Sequence, residues 1–270
     1  MLGAIAGDII GSVYEFDRIK TKAFQLFTPE STFTDDSILS VAVAEALLTK
    51  GSYSHSIKRY ARQYPHPMGG YGARFNQWAQ SDQLSPYNSW GNGSAMRVSP
   101  VGFAFNTVAE VLSAAKQSAE VTHSHAEGIK GAQAAAVCIL LARHGSDKRK
   151  IKTFVEEQFE YDLSRSLETI RPTYAFNESC QQTVPEAIIS FLESTDYEDA
   201  IRNAVSLGGD TDTLCAITGG ISEAFYGGVP AEIAKVAITR LDHRLRKTTL
   251  QFCEQYIPSY GYSDLIPTRV

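Results

Sequence analysis

The sequence has few of the residues that bind zinc or cross-link a chain. It contains six histidines and four cysteines, at Cys138, Cys180, Cys215 and Cys253. The cysteines form no Cys-x-x-Cys pair and match no zinc-binding spacing. The apolar start lacks the basic segment of a signal peptide and carries Asp8. We therefore expect free, buried thiols and a cytoplasmic protein.

Excess positive charge and long apolar runs are also missing. The 25 Lys and Arg residues against 30 Asp and Glu give a net charge of −5, so there is no general basic surface for nucleic-acid phosphates. The longest apolar run, residues 132–142, is too short to span a bilayer. We expect no general nucleic-acid binding and no membrane partner.

Alternating strand patterns are scarce, whereas helical periodicity is frequent. The residues after Asp35 form an apolar helix, and further patterns predict helices over 107–124, 127–143, 148–160, 184–193, 197–207, 213–226 and 230–243. Gly and Pro mark loops at 64–73 and 84–94. No flexible linker interrupts the chain. The pattern predicts a single, mostly α domain over residues 1–270, with ten or more helices.

Two acidic clusters each precede an apolar helix. The first contains Thr34, Asp35 and Asp36, and the second contains Asp210, Asp212 and Thr213. Each is open to two interpretations. Asp and Thr are common helix N-caps, but capping needs one side chain rather than three. Adjacent buried carboxylates also repel unless a cation or proton lies between them. Their oxygens suit Mg²⁺, Mn²⁺ or Ca²⁺, so the clusters could form one two-part metal site.

Glycines predict where the helices pack closely. Gly3, Gly7 and Gly11 lie on one helix face. Gly219 and Gly220 interrupt an apolar helix at a propensity cost of roughly 1 kcal/mol each, which indicates close approach of another helix. Glu15 follows the first helix between two aromatic residues. It is either a surface residue or a functional acid in a cleft.

The middle of the chain holds candidate substrate residues. In "GNGSAMRVSPVG" (91–102), Gly91 and Gly93 flank Asn92 and could direct backbone N–H groups at a phosphate. An ordinary Gly-rich turn is the alternative. His123 and His125 are two residues apart, so they do not share a helix face and are not expected to chelate one metal. Tyr71 is a candidate aromatic wall.

Together these segments resemble the ADP-ribosylglycohydrolase family. The resemblance rests on "GDIIGSVYEF", "FTDDS", "GNGSAMRVSPVG", "VTHSH" and "GGDTDT", which occur in the family's order from about residue 3 to about residue 228. It implies an all-α fold, a single compact multi-helix orthogonal bundle, with a binuclear magnesium or manganese cleft.

The resemblance also implies roles for individual residues. The metal ligands would be Thr34, Asp35, Asp36, Asp210, Asp212 and Thr213, with Asp212 as the bridging carboxylate. Glu15 matches the family's N-terminal catalytic glutamate. Gly91, Asn92, Gly93, Ser94, His123 and Tyr71 would contact substrate. Ser37 stands where many members have Thr and is not expected to be a ligand.

The expected activity is hydrolysis of the glycosidic bond between ADP-ribose and an acceptor, with two Mg²⁺ or Mn²⁺ ions. The substrate would be an ADP-ribosylated protein, with arginine favoured weakly as the acceptor, or a small ADP-ribose conjugate. One alternative is a non-hydrolytic ADP-ribose-binding or structural protein on the same scaffold. The other is a different Mg²⁺- or Mn²⁺-dependent hydrolase such as a phosphoesterase.

Overall fold

Helices account for all the regular structure in the computed structural model, which describes residues 1–265. Within that range the chain forms fifteen α-helices, two short 3₁₀ helices and no β-sheet. The helices are α1 (Leu2–Gly11), α2 (Asp35–Thr49), α3 (Tyr53–Gln63), α4 (Ala73–Gln80), α5 (Gly93–Met96), α6 (Ser99–Ala104), α7 (Val108–Glu120), α8 (Ala126–Arg143), α9 (Lys148–Phe159), α10 (Leu167–Ile170), α11 (Cys180–Leu192), α12 (Tyr197–Val205), α13 (Thr211–Tyr226), α14 (Ala231–Arg240) and α15 (His243–Tyr256), followed by 3₁₀ turns at Pro258–Tyr260 and Tyr262–Leu265. The all-α prediction is confirmed. None of these helices is long and apolar enough to cross a membrane.

The closest helix pair is α1 against α13, at the centre of the core. A Cβ atom at Gly7 would lie 2.1 Å from the carbonyl oxygen of Cys215, and one at Gly11 would lie 2.3 Å from that of Thr211. Gly3 and Gly219 oppose each other in the same way. The glycine face predicted from the sequence is therefore the contact that lets the two backbones meet. Residues Thr211 to Ala224 of α13 are all buried, as expected for a central helix.

A buried ion pair fixes the start of α1 on α13. The ammonium group of Met1 pairs with Glu223, and both groups are fully buried. The Gly3 N–H donates to Glu223 Oε2 at 2.9 Å, and the Tyr262 hydroxyl donates to Oε1 at 3.0 Å. The glutamate therefore joins the two central helices at the end away from the acidic clusters.

The predicted helices exist, with shifted ends in some cases. The helix predicted from 184 begins at Cys180, because the Ser179 side chain caps it by accepting from the Gln182 N–H, and Pro185 lies inside it. Helices α3, α4 and α15 were not predicted, since their sequences are rich in polar and charged residues, and the short helices α5, α6 and α10 were not predicted either. The four cysteines are free and buried, as expected.

Two isolated backbone bridges hold the loops around the acidic clusters. Thr34 pairs with Met68, and Gly91 pairs with Ser179. The first bridge joins the start of α2 to the loop before α4. The second joins the loop at residues 89–93, here called the glycine loop, to the start of α11. Both loops are thereby fixed beside the amino-terminal ends of α2 and α13. The prediction of one domain over residues 1–270 stays a prediction, since residues 266–270 lie outside the described range.

Candidate active site

A cleft of about 540 Å³ opens where the loops meet the amino-terminal ends of α2 and α13. That volume suits a ligand the size of a nucleotide sugar. Its lining combines most of the residues predicted for the site with several that were not predicted. The lining residues are Glu15, Asp35, Asp36, Leu39, residues 69–75, Tyr87, residues 89–93, Met96, Arg97, His123, Phe176, Glu178, Asp210, Asp212 and Thr213. Thr34 and Ser94 lie outside the lining.

Thr34 provides the N-cap of α2, so the two aspartates after it are not needed for capping. Its hydroxyl accepts from the Asp36 N–H at 3.2 Å. The same hydroxyl donates to Asp8 Oδ1 at 2.7 Å. Asp35 is half-buried and Asp36 is buried, and both face the cleft. The capping interpretation therefore applies to Thr34 and leaves the carboxylates of Asp35 and Asp36 for another role.

Asp8 is a site-supporting residue that the sequence analysis missed. Its carboxylate is fully buried and accepts four hydrogen bonds, from the backbone N–H and the hydroxyl of both Thr34 and Ser37. Ser37 is thus a donor to Asp8. The available signal was that Asp8 is the single charged residue of the apolar segment Leu2–Gly11. An acid on such a buried face needs a partner set of this kind.

In the second cluster, the residue at the N-cap position does not cap its helix at all. Asp210 stands at the N-cap position of α13, but its side chain caps nothing. Instead, Asp210 Oδ2 accepts from Asn92 Nδ2 at 2.7 Å, and the same amide donates to Thr183 at 3.2 Å. The Thr211 hydroxyl donates to the Gly11 carbonyl oxygen at 2.8 Å, which fixes α13 beside the turn that carries Glu15.

The fold brings the two clusters together, as the sequence suggested it could. The Thr213 hydroxyl donates to Asp36 Oδ2 at 3.3 Å, which joins α13 to α2. Carboxylate oxygens of Glu15, Asp210 and Asp212 all lie within 4.8 Å of one another. Acids from two distant segments therefore converge on one small volume at the cleft floor, and Asp36 of α2 adjoins it through Thr213.

This crowding of acids changes their protonation. Burial raises the pKa of Glu15 to about 7, and the nearby Asp212 carboxylate adds to the effect. Burial and Asp212 also raise the pKa of Asp35, Asp36 and Asp210 well above the usual range. Like charges held this close favour a proton or a cation among them.

The donor set fits a hard divalent cation. Asp36 Oδ1, Asp212 Oδ1 and Glu15 Oε2 are buried and have no hydrogen-bond partner among the described residues. Unpartnered buried carboxylate oxygens are costly, and a cation bound by them would remove that cost. The ligands are oxygens only, which suits magnesium or manganese better than zinc.

The glycine loop is built differently from the sequence expectation. The Asn92 N–H donates to the Glu178 carbonyl oxygen at 2.7 Å, and the Gly91 N–H donates to the Ser89 hydroxyl at 3.1 Å. The Ser94 hydroxyl donates to the Gly128 carbonyl oxygen at 2.6 Å, away from the cleft. Asn92 and Ser94 thus use their side chains to support Asp210 and α8, and the cleft wall comes from the glycines.

His123 packs against this loop. Its Nε2 would lie 3.2 Å from a Cβ atom at Gly93, a tight contact that favours glycine there, and 3.6 Å from one at Gly91, an ordinary contact. Burial, together with the nearby Arg97 cation, holds the pKa of His123 well below its ordinary value. The imidazole in the cleft wall is therefore neutral. His125 instead caps α8, accepting from the Glu127 N–H at 3.1 Å.

Aromatic side chains line the cleft beside the acids. Tyr71 is half-buried, donates to the Tyr64 carbonyl oxygen at 2.9 Å and packs on Phe75 with ring centroids 5.2 Å apart. Gly69 adopts φ +77° with Glu15 Oε2 against it, a left-handed conformation that favours glycine. Trp90 lies in the cleft lining and is 44% exposed, whereas Trp78 belongs to the core.

Comparisons with known proteins agree with this architecture. The chain is 28% identical to the ADP-ribosylhydrolase ARH3 of Gallus gallus, over 84% of this chain and 84% of that protein. It is 24% identical to the ADP-ribosylarginine hydrolase Tri1 of Pseudomonas putida (strain GB-1), over 88% of this chain and 73% of that protein.

A solved structure shares the fold. The structure described as an ADP-ribosylglycohydrolase-related protein complex superposes with a TM-score of 0.70 at 23% identity, covering 95% of this chain and 97% of that one. The resemblance seen in the sequence motifs is confirmed by a family model. That model, described as ADP-ribosylglycohydrolase, matches residues 1–259, and the chain therefore belongs to the ADP-ribosylglycohydrolase family.

Proposed function

We propose that the cleft binds an ADP-ribosyl conjugate and hydrolyses the glycosidic bond between the distal ribose and its acceptor. The observation that carries this proposal is the meeting of Glu15 with both acidic clusters at the floor of one cleft. Family membership makes the chain an ADP-ribosyl glycohydrolase and supports this activity over a binding protein or a phosphoesterase.

Two Mg²⁺ or Mn²⁺ ions are the proposed cofactors. Metal dependence is common to the family, and the unpartnered oxygens of Asp36 and Asp212 support metal binding here. The ions would be held by Asp35 and Asp36 of α2 and by Asp210, Asp212 and Thr213 of α13. Thr34 lies outside the cleft lining, and its hydroxyl is used on Asp8 and on the Asp36 N–H. Bound there, such ions supply positive charge that binds ribose hydroxyls and makes a water more acidic.

Glu15 is the proposed proton carrier. Cleavage at C1″ develops oxocarbenium-like charge on the ribose as its bond to the acceptor breaks. The bond electrons leave with the acceptor atom, and a water oxygen bonds to C1″. Glu15 Oε2, free of hydrogen-bond partners among the described residues, accepts the proton of that water and returns a proton to the acceptor atom.

The glycine loop and the aromatic wall are proposed to hold the rest of the ligand. The backbone at Gly91 and Gly93 and the imidazole of His123 form one surface of the cleft, which suits the diphosphate. Tyr71 lines the same cleft, and burial, together with the nearby charge of Asp35, raises the pKa of its hydroxyl. The phenol therefore stays protonated and presents a ring to the substrate.

Arginine is the proposed acceptor. The cleft contains more acids than bases, with Glu178 near its rim, which favours a cationic acceptor. The relative named an ADP-ribosylarginine hydrolase supports the same assignment, whereas the name ARH3 specifies no acceptor. A small ADP-ribose conjugate is the other substrate class that fits the same cleft. A cytoplasmic setting stays a prediction.

A substrate panel tests the proposal. ADP-ribosyl-arginine peptide, ADP-ribosyl-serine peptide and O-acetyl-ADP-ribose are incubated with the protein and Mg²⁺ or Mn²⁺, and released ADP-ribose is measured by chromatography. We expect release from the arginine peptide to be fastest. Release from the serine peptide alone would contradict the acceptor. ADP-ribose binding without release from any substrate would favour the binding protein, and cleavage of a phosphate ester alone would favour the phosphoesterase.

A further inference from the structure

A fully buried arginine of the cleft lining, Arg97, is connected to His123 by two hydrogen bonds through Thr122. Arg97 has no exposed surface, and among the described residues no carboxylate forms an ion pair with its guanidinium. Its Nη2 donates to the Ser118 carbonyl oxygen at 3.2 Å and to the Thr122 hydroxyl at 2.8 Å. A buried cation without a carboxylate is a costly arrangement, so its role needs an explanation.

The hydrogen bonds continue from Arg97 to the cleft. The Thr122 oxygen lies 2.7 Å from His123 Nδ1. Arg97 can only donate, so it occupies an acceptor site of the Thr122 oxygen. The Thr122 hydroxyl has one proton to donate, and His123 Nδ1 lies within hydrogen-bond distance to accept it. The favourable arrangement has the Thr122 hydroxyl donating to an unprotonated Nδ1.

We infer that Arg97 is a positioning residue that acts through Thr122 to fix His123 as the neutral, Nε2-protonated tautomer. The Nε2–H then faces the surface formed by Gly91 and Gly93 and donates to an anionic oxygen of the ligand. The guanidinium polarises this donor through the hydroxyl and the imidazole. The choice of diphosphate as the ligand group rests on the proposed function, whereas the tautomer does not.

The acids of the cleft floor give a reason for using a neutral donor. A guanidinium at the floor would pair with their carboxylates in place of a cation, whereas Arg97 Nη2 is directed to Ser118 and Thr122. A neutral imidazole supplies a donor with no net charge at the cleft wall. Burial and the Arg97 charge both keep the pKa of His123 low, so the donor is present in this form at neutral pH.

Nitrogen NMR of histidine-labelled protein tests the tautomer directly. The Mg²⁺-loaded, full-length protein is labelled with ¹⁵N-histidine, and His123 is assigned by its loss in His123→Gln. We expect an unprotonated Nδ1 and a protonated Nε2 at pH 7. A protonated Nδ1, or a charged ring, would overturn the inference. This measurement uses no ADP-ribose, so it stands even if the proposed function is wrong.

Variants at Thr122 test the consequence for binding. Thr122→Val removes the hydroxyl and should remove the tautomer preference and weaken ADP-ribose binding about tenfold, with KM rising and kcat nearly unchanged. Thr122→Ser should restore both. Thr249→Val is the matched control, since Thr249 is buried in α15 and its hydroxyl has no partner among the described residues.

The outcomes separate the two claims. Unchanged ADP-ribose affinity and an unchanged tautomer in Thr122→Val would overturn the role of Arg97. A wild-type protein that does not bind ADP-ribose would contradict the proposed function instead. If Thr122→Val fails to fold, Arg97→Met decides the point, because it removes the charge and the donor to Thr122. The inference predicts weaker ADP-ribose binding in Arg97→Met, and an unchanged affinity and tautomer would overturn it.

Discussion

Single residues decide how the first acidic cluster is held. Asp8 accepts four hydrogen bonds from Thr34 and Ser37, so it fixes the first turn of α2 from behind. Burial, aided by Asp212, raises its pKa to about 7. Groups that orient metal ligands in this way commonly affect metal affinity as strongly as a ligand does.

Asp8→Asn should therefore weaken metal binding. An amide of the same shape replaces one acceptor with an NH₂ group that opposes the donors of Thr34 or Ser37. We expect Mn²⁺ affinity to fall by roughly 10- to 100-fold, measured by isothermal titration calorimetry. Asp17→Asn, at an exposed position, is the control and should bind normally. Equal affinity in Asp8→Asn and wild type would show that Asp8 does not position the cluster.

Glu15→Gln should separate metal binding from catalysis. The amide retains an oxygen near Asp210 and Asp212 but cannot carry the proton. We expect turnover to fall by roughly 10²- to 10⁴-fold while metal content, measured by mass spectrometry of the purified protein, stays close to that of wild type. Glu30→Gln, at an exposed position, is the matched control. Full turnover in Glu15→Gln would remove this residue from the catalytic role.

At the scale of helices, the contact between α1 and α13 carries the site. Glu15 follows α1, and Asp212 lies in the first turn of α13, so the distance between them depends on how closely these helices pack. Gly7 lies at the middle of the contact, with the Cys215 carbonyl oxygen where a Cβ would stand. If the two backbones moved apart, the distance between Glu15 and Asp212 at the cleft floor would increase.

Gly7→Ala should destabilise the protein although alanine is the better helix former. The added Cβ forces the backbones apart, and overpacking of this kind costs about 1–3 kcal/mol. We expect a lower free energy of unfolding in urea. Gly72→Ala is the control, because no atom lies within 4 Å of its Cβ position, and its stability should be nearly unchanged. Equal stability of the two variants would contradict the close-packing account.

The sequence predicted the helices with apolar periodicity and the two clusters, because those features are local. Helix α15 was missed since its burial depends on Leu245 and Phe252 among many polar residues. Asp8 and Arg97 were missed as supporting residues for another reason. Their partners lie 26 to 29 and 21 to 25 positions away, and only the folded chain brings them together.

The same limit applies to residues that were predicted for the site but whose side-chain direction could not be predicted. Asn92 was expected at the substrate, and the fold turns its amide to Asp210. Ser94 was expected there too, and its hydroxyl goes to Gly128. Side-chain direction depends on the turn at 91–93 and on its bridge to Ser179, which a sequence pattern does not specify.

For the whole molecule, the crowded acids couple stability to pH and metal. The pKa values of Asp8 and Glu15 are raised from about 4 to about 7. The folded protein therefore binds these protons more tightly than the unfolded chain. This contribution to stability is complete below pH 4 and is lost as the pH rises through 7. Metal binding has the opposite dependence, because the ligands must be deprotonated.

Calorimetric scans at two pH values should show this coupling. In EDTA, we expect a lower Tm at pH 7.5 than at pH 5.5, because the stabilising protons on Asp8 and Glu15 are lost as the pH rises through 7. Adding Mn²⁺ should raise Tm more at pH 7.5 than at pH 5.5. Asp8→Asn should show a smaller pH dependence in EDTA than wild type. A gain from Mn²⁺ that is the same at both pH values would contradict the coupling.

The central claim is that α2 and α13 together form one metal-dependent hydrolytic site. The most direct test measures the rate of ADP-ribose release from ADP-ribosylated substrate against Mg²⁺ or Mn²⁺ concentration, for wild type, Asp35→Ala and Asp212→Ala. We predict metal-dependent release by wild type, and loss of both metal and activity in each variant with an unchanged helical circular-dichroism spectrum. Normal metal content in both variants, or release by wild type in EDTA, would contradict the claim.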